Sequence, residues 1–111
     1  MSIASDIIRG HTDTIILARL AAGDSYGYEI NKAIMRKTNN RYELKEATLY
    51  TAFRRLEENG CISSYWGNET TGARRRYYSI TPTGKRQLAL LRADWDDARK
   101  MIDSLTSQEG Y

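Results

Sequence analysis

Residues 42–60 read YELKEATLYTAFRRLEENG, and this segment is the most informative about the architecture of the chain. From Glu46 to Asn59 its apolar residues recur at intervals of three and four, which is the period of an amphipathic helix. Gly60 follows at the position where a left-handed residue commonly ends a helix. The predicted apolar face consists of Leu49, Ala52, Phe53 and Leu56, and the opposite face of Ala47, Thr48, Thr51, Arg54 and Arg55.

Two further helices are predicted upstream of this segment. The first extends from Ile3 to Ala22, and Gly10 is a natural point of division into a short leading turn and a main helix. The second extends from Tyr26 to Lys37, and Ser25 before it has the hydroxyl side chain that commonly caps a helix N-terminus. Residues 38–40, Thr-Asn-Asn, end this helix.

A hairpin and a last helix are predicted downstream. Residues 61–66 and 76–80 are rich in β-branched and aromatic side chains, and the glycines between them indicate an antiparallel hairpin with a long loop. Thr81 and Pro82 are the residues expected at the N-cap and first position of a helix that continues to about Ser107. The predicted order is α-α-α-β-β-α.

This order predicts how the chain is divided. Residues 1–81 are expected to form a winged helix-turn-helix DNA-binding domain. Residues 82–107 are expected to form a dimerisation helix that packs on the N-terminal helix, and residues 108–111 a flexible tail. The predicted fold class is therefore mainly α (α+β), a winged helix-turn-helix with a long C-terminal dimerisation helix.

Length and composition restrict the class of protein. With 111 residues, 41% hydrophobic and 28% charged, the chain has the composition of one globular domain. It contains no apolar run of the roughly 18 residues that span a bilayer, and its N-terminus lacks the pattern of a signal peptide. Cys61 has no second cysteine with which to form a disulfide, which fits a reducing compartment. We therefore expect a cytoplasmic protein with no membrane partner.

Positive charge is concentrated before the last helix. Residues 1–80 contain 12 Lys/Arg and 9 Asp/Glu, whereas residues 81–111 contain 5 of each, so the whole net charge of +3 belongs to the first segment. Basic residues on one side of a protein attract phosphates and make binding depend on salt. The distribution favours DNA as the partner of the first segment and a different role for the last helix.

The predicted helix at Glu46–Asn59 is the candidate for insertion into the DNA major groove. Its threonines and arginines could form an ordinary solvated surface, but the third helix of this arrangement is followed by a hairpin, which favours DNA contact. Tyr50 beside the apolar face either packs against the domain or brings its hydroxyl to a phosphate. The predicted contacts on this helix are Thr48, Tyr50, Thr51, Arg54 and Arg55.

Two segments outside this helix carry further candidate contacts. Three arginines at the hairpin tip alternate sides in a regular strand, so one is expected to pair with a local carboxylate such as Glu69 while the others reach phosphates or the minor groove. A tip that only increases solubility is the alternative. Tyrosines at the start of the second helix lie where backbone N–H groups attract phosphate, although a structural role is equally consistent. These contacts are Tyr26, Tyr28, Arg74, Arg75 and Arg76.

The last predicted helix carries an apolar seam with the a/d spacing of a coiled coil. A helix of about 25 residues would extend beyond so small a domain and leave this seam exposed, which usually means a partner. We expect a twofold homodimer that presents two recognition helices to a palindromic operator. Trp95 is either a structural anchor in this interface or the wall of a cavity for a flat apolar ligand. The seam consists of Leu88, Leu91, Trp95, Ala98, Ile102 and Leu105.

The patterns that accompany catalysis or metal binding are absent from the sequence. His11 stands alone among polar neighbours, without a second ligand at metal spacing. The chain contains no glycine-rich phosphate loop, CxxC pair or nucleophile–base pattern. The sequence therefore predicts a protein with no enzymatic activity, no catalytic residues, no cofactor and no metal.

Four motifs resemble those of PadR-type transcriptional regulators. They are YGYEI at 26–30, ATLY at 47–50, RRLEENG at 54–60 and RRRYYSITPTG at 74–84. The similarity extends from His11 to Leu105. It implies a dimeric winged-helix repressor that a ligand releases from its operator. The short form, with one C-terminal helix and a tryptophan on it, is similar to a multidrug-binding subgroup of the family.

The resemblance to this subgroup implies a ligand site at the dimer centre. There the tryptophan matching Trp95 faces its mate across a pore for planar hydrophobic compounds, and residues matching Ile7, Thr14 and Leu91 line that pore. Leu91 is bulkier than the small residue that the subgroup can carry, and Arg99 stands where an acidic residue can attract cationic drugs. These departures imply a narrower pore that prefers neutral or anionic aromatics.

The combined prediction is a ligand-responsive repressor of a multidrug efflux or stress operon, the operon being implied by the resemblance alone. Lys45 replaces the usual Ser or Asn cap before the recognition helix and adds a charge that can contact a phosphate. The alternative is a dimeric protein-interaction adaptor that uses its winged-helix surface to bind another protein.

Overall fold

The computed structural model describes residues 2–111, so Met1, the first residue of the predicted DNA-binding domain, lies outside the described residues. The helices and strands are α1 (Ile3–Arg9), α2 (Thr12–Ala21), α3 (Gly27–Lys37), α4 (Glu46–Glu58), β1 (Ile62–Trp66), β2 (Arg76–Ile80) and α5 (Pro82–Thr106). The predicted mainly α fold, with a two-stranded antiparallel hairpin before a long last helix, is confirmed.

The predicted N-terminal helix is divided at Gly10, as expected. α1 ends at Arg9, and α2 begins at Thr12, whose hydroxyl donates to the Arg9 carbonyl oxygen at 2.6 Å. His11 occupies the N-cap position of α2 without a capping bond, and its Nδ1 lies 2.7 Å from the carbonyl oxygen of Ile7. The histidine therefore helps to join the two short helices.

The predicted role of Ser25 as a helix cap is wrong. α3 begins at Gly27 with Tyr26 at the N-cap position, and the Ser25 hydroxyl donates to Glu29 at 2.5 Å. The backbone of Ser25 instead exchanges two hydrogen bonds with Tyr78 of β2, at 3.2 and 2.8 Å. This bridge holds Ser25 in an extended conformation, because a residue in a strand pair cannot also turn into the helix. It ties the start of α3 to the hairpin.

The core lies where α2, α3, α4 and the hairpin meet. The four predicted apolar residues of α4 are all buried, and Phe53 stacks on Tyr78 at a ring distance of 3.9 Å. The turn before α4 is held by Asn31, whose side chain exchanges two hydrogen bonds of 2.8 Å with the backbone of Leu44. Gly60 ends α4 with φ +72°, the left-handed conformation expected there. The inner face of α4 is thereby fixed, and its outer face is left available.

α5 begins inside the domain and ends outside it. The Thr81 hydroxyl accepts from the Gly84 N–H at 3.0 Å, which confirms the predicted cap, and Pro82 occupies the first turn. A Cβ on Gly84 would overlap the carbonyl oxygen of Cys61, so this turn lies directly against the chain before β1. Beyond Leu91 most of α5 is exposed. Within residues 2–111 no helix has the length and apolar character needed to cross a membrane.

Candidate nucleic-acid interface

The outer face of α4 carries exposed threonine and arginine side chains. Thr51 and Arg54 are exposed, and Thr48 is half-buried. Within the part of the chain that the structure describes, Arg54 makes no hydrogen bond or ion pair. Lys45 at the N-cap is exposed and makes no side-chain capping bond. Among the described residues neither cation has a partner, and the two lie apart on α4. Lys45 lies beside the free backbone N–H groups of the N-terminus, where a phosphate is attracted, and Arg54 lies further along the helix, where it can reach a base edge.

Arg55 on the same face is bound to Asp13 of α2. Its Nε donates to one carboxylate oxygen at 3.2 Å, and its Nη2 makes a second, shorter bond to the other. This bidentate bond raises the pKa of the Arg55 guanidinium. Arg54 and Arg55 are neighbours in sequence but differ in their contacts, since Arg54 has no partner among residues 2–111 whereas Arg55 connects two helices. The predicted DNA contact of Arg55 stays a prediction.

The tyrosines at the start of α3 pack against α4 and the hairpin. A Cβ on Gly27 would lie 3.0 Å from the Tyr50 hydroxyl, so the start of α3 packs tightly against this side chain of α4. Tyr50 packs edge-on against Phe53 at 5.6 Å, yet remains 44% exposed, so packing and a phosphate contact are compatible. Tyr26 packs edge-on against Tyr77 of β2, whereas Tyr28 points out with 67% of its surface exposed.

A groove separates these tyrosines from the hairpin tip. It has a volume of about 590 Å³. Its lining, which we call the tyrosine–arginine groove, consists of Tyr26, Gly27, Tyr28, Tyr50, Trp66, Ala73, Arg74, Arg75 and Arg76. The fold thus brings six of the predicted DNA-contacting side chains, from three separate segments, to one concave surface.

The three arginines of the hairpin alternate sides, as predicted. Arg75 lies 3.8 Å from Glu69, the expected carboxylate, and its guanidinium covers the ring of Tyr26 at 4.9 Å. Glu69 also accepts a hydrogen bond from the Arg75 backbone N–H, which is the main reason that the pKa of its carboxyl is lowered. Arg74 and Arg76 lie on the other side, each 5.8 Å from the ring of Trp66.

The predicted seam of α5 is divided between the domain core and the surface. Leu88 is buried in the core, and Leu91 packs partly against that core. Trp95 is 38% exposed, whereas Ile102 and Leu105 are 53% and 64% exposed. Two of the six seam residues thus pack largely within one protomer, and the outer part remains available for a second copy.

The residues predicted for a ligand site are only partly brought together. Thr14 and Leu91 line a cavity of about 450 Å³, together with Thr48, Thr51 and Arg55 of α4. The exposed Ile7 is not among its lining residues. Trp95 instead packs edge-on against His11 at 4.6 Å. Arg99 lies 2.7 Å from Asp96 and 3.6 Å from Asp103, so its charge is offset within α5.

Three residues of these surfaces were not predicted. Asp13 is 42 residues away from its partner Arg55, so no local pattern could link them. The contact of His11 with Trp95 likewise depends on how α5 crosses the junction of α1 and α2. Trp66 carried a usable signal, since a tryptophan at the end of a strand that leads into an arginine-rich tip is an expected neighbour of those arginines.

Comparison with known proteins gives one consistent result. A family model described as the transcriptional regulator PadR-like family matches residues 16–90. An uncharacterized protein X of Lysinibacillus sphaericus is 46% identical over 101 residues, which cover 91% of this chain and 93% of that protein. A transcriptional regulator from Clostridium thermocellum is 51% identical, with a TM-score of 0.86 over 96% of this chain and 100% of its own. A PadR family transcription regulator from Clostridium difficile is 35% identical, with a TM-score of 0.74 over 87% and 99%.

Proposed function

This chain belongs to the PadR-like family of transcriptional regulators, which are DNA-binding proteins rather than enzymes, and we propose that it is a homodimeric repressor released from a palindromic operator by a planar hydrophobic compound. Membership in the family confirms the predicted class of protein and disfavours the protein-interaction adaptor. The dimer, the operator contacts, repression and the response to a ligand are our proposal. So are the cytoplasmic location and the regulation of an efflux or stress operon.

The observation that carries the DNA contact is the exposed, basic outer face of α4 beside the tyrosine–arginine groove. A recognition helix in the major groove needs exposed side chains that reach base edges, and Arg54 and Thr51 meet this requirement. The hydroxyls of Tyr28 and Tyr50, together with Arg74 and Arg76 of the groove, then suit the adjacent phosphates. We therefore assign base contacts to α4 and backbone contacts to the groove.

Pairing of two copies through α5 is supported by the exposed outer seam. Ile102 and Leu105, together with Met101, place large apolar side chains on a segment that projects from the domain. Burying them requires a second surface, and a twofold arrangement of two α5 helices supplies it with the same residues. Members of this family are typically dimers. Such a dimer presents two copies of α4 to the two halves of a palindrome.

Release by a ligand is supported by the position of Trp95 at the inner end of this seam. Its ring packs edge-on against His11 and is 38% exposed, so that part of its surface is available to a flat aromatic molecule. Since Arg99 has two carboxylate neighbours, we propose neutral aromatic compounds as the preferred ligands. The cavity beside Leu91 also touches Thr48 and Thr51 of α4, which provides a route from ligand to DNA-binding helix.

The test of this function is binding to the DNA upstream of the protein's own gene. A mobility-shift titration at about 100 mM salt is expected to give a discrete complex, whose affinity falls as salt rises. Arg54→Ala is expected to weaken that complex by about 1–3 kcal/mol, because a base contact is lost. Arg86→Ala, which removes an exposed arginine of α5, is the matched control and should bind normally. If the native protein forms no discrete complex, the proposal is wrong.

A further inference from the structure

The arginines on the two faces of the hairpin have different hydrogen-bond and ion-pair partners. On the side facing α4, Arg76 donates to the Ser64 hydroxyl at 2.8 Å and lies 3.6 Å from Glu57. Two residues further along β2, Tyr78 stacks on Phe53 of α4, which identifies this as the side turned toward the recognition helix. Arg75 lies on the opposite side, between Glu69 and Tyr26.

Trp66 occupies the centre of the side facing α4. It is the cross-strand partner of Arg76, and its indole ring lies under the guanidinium groups of both Arg74 and Arg76. The ring is 53% exposed, although a tryptophan of a soluble protein usually buries most of its surface. An aromatic face attracts a guanidinium and limits the directions in which it can point. Trp66 therefore restrains two cations at the edge of the tyrosine–arginine groove.

The backbone at Gly67, directly after Trp66, is held in place by residues of the hairpin loop and of β2. Gly67 is buried, and a Cβ there would overlap the carboxylate of Glu69 and lie 2.6 Å from the Tyr77 ring. Its N–H donates to the Arg75 carbonyl oxygen at 2.7 Å, and its own carbonyl oxygen accepts from Nε of Arg74 at 3.3 Å. The Trp66 ring and the Arg74 side chain are thus both anchored at Gly67, the first by the peptide bond and the second by a hydrogen bond.

From this geometry we propose that Trp66, Arg74 and Arg76 form a single DNA-backbone contact in which the indole positions both guanidiniums, and that Arg75 makes no DNA contact. The inference rests on the proposed function and assigns roles within its DNA surface. Arg74 is the stronger contributor, because within the described residues it has no carboxylate partner. Arg76 contributes less, since Glu57 offsets part of its charge. Trp66 is a positioning residue that acts through these arginines.

The salt dependence of operator binding tests the division between neighbouring arginines. Each phosphate contact adds about 0.9 to the slope of log affinity against log salt. We expect Arg74→Ala to weaken binding about tenfold and to lower the slope by about 0.9. Arg75→Ala is the matched control and should change affinity by less than about twofold, with the same slope. Glu69 keeps its bonds to the Arg75 backbone and to Tyr77 in this variant.

Two substitutions of Trp66 test the positioning role. Trp66→Ala should lower both the affinity and the salt slope, by as much as Arg74→Ala or more, whereas Trp66→Phe keeps an aromatic face and should restore most of both. A merely structural tryptophan would reduce affinity without changing the slope. If Trp66→Ala unfolds the protein, the comparison of Arg74→Ala with Arg75→Ala decides alone. Equal effects of those two arginine variants, or an unchanged slope in a folded Trp66→Ala, would overturn the inference.

Binding by the native protein separates this inference from the proposed function. Failure of the native protein to bind its upstream DNA refutes the function itself. Normal native binding combined with the wrong order of the variants refutes only the assignment of the hairpin contacts.

Discussion

Asp13 and Arg55 should stabilise the fold through one shared ion pair. Neutralising both residues should therefore cost less unfolding free energy than the sum of the two single changes. We consider Asp13→Asn, Arg55→Gln and the double variant, which keep the size of each side chain and remove its charge. The native pair is bidentate, and the two side chains retain 33% and 49% of their exposure, so solvent screens the attraction. Exposed ion pairs contribute about 0.2–1 kcal/mol, and a bidentate arginine–carboxylate pair belongs near the upper end of that range. We therefore expect a coupling free energy of about 1 kcal/mol.

The assay is urea unfolding at one fixed protein concentration, because dimer formation would make stability depend on concentration. The free energy of unfolding of the four proteins gives the coupling through a double-mutant cycle. In a thermal scan the same free energy corresponds to a shift in Tm of about 4 °C. Arg54→Gln, one residue away on the same helix, is the control and should stay within about 0.5 kcal/mol of the native protein, since Arg54 has no partner among the described residues.

A coupling below about 0.2 kcal/mol would refute this reasoning, because the two charges would then contribute independently. Operator binding by the same proteins separates two roles of Arg55. Asp13→Asn strengthens operator binding if Arg55 contacts a phosphate and Asp13 competes for it. It weakens binding if the pair serves to hold α4 in place.

Three other substitutions have defined outcomes. Trp95→Ala should abolish fluorescence quenching by planar dyes while the protein stays dimeric in sedimentation, and a monomer would show that Trp95 is an anchor instead. Glu69→Gln should make the thermal stability of the protein less sensitive to acid. Because the folded-state pKa of Glu69 is lowered from 4.5, the stability that its carboxylate contributes is present above pH 4.5 and is lost as the pH falls through the folded-state pKa. Identical profiles of stability against pH for the native protein and the variant would contradict this contribution. Gly84→Ala should cost about 1–3 kcal/mol of unfolding free energy, because its Cβ would overlap the backbone of Cys61. Gly10→Ala, whose Cβ meets only ordinary contacts, is the control and should be neutral or stabilising. Equal effects of the two variants in urea unfolding would exclude the steric explanation.

Local signals in the sequence predicted most of the elements correctly. The period of the apolar residues located α4, and Thr81 with Pro82 located the start of α5, because caps and periodicity act within a few residues. Ser25 shows where such signals fail. Its hydroxyl suited a cap, but pairing with Tyr78, distant in sequence, determined its backbone conformation.

The surfaces were harder to predict than the elements. Leu88 and Leu105 occupy the same seam by spacing, yet one is buried in the core and the other is exposed, because the domain ends partway along α5. The spacing of apolar residues along a helix does not indicate how far the elements packed against that helix extend. Arg54 and Arg55 look alike in sequence, and only the position of Asp13 on α2 distinguishes them.

The bridge between Ser25 and Tyr78 has a consequence for how an operator would be discriminated. It ties β2 to the start of α3, so we expect the base of the hairpin to resist bending toward DNA of a different local shape. We expect any mismatch beneath the hairpin to be absorbed by the duplex, whose cost of deformation depends on its base steps. Base pairs that no side chain touches would then influence affinity through their flexibility.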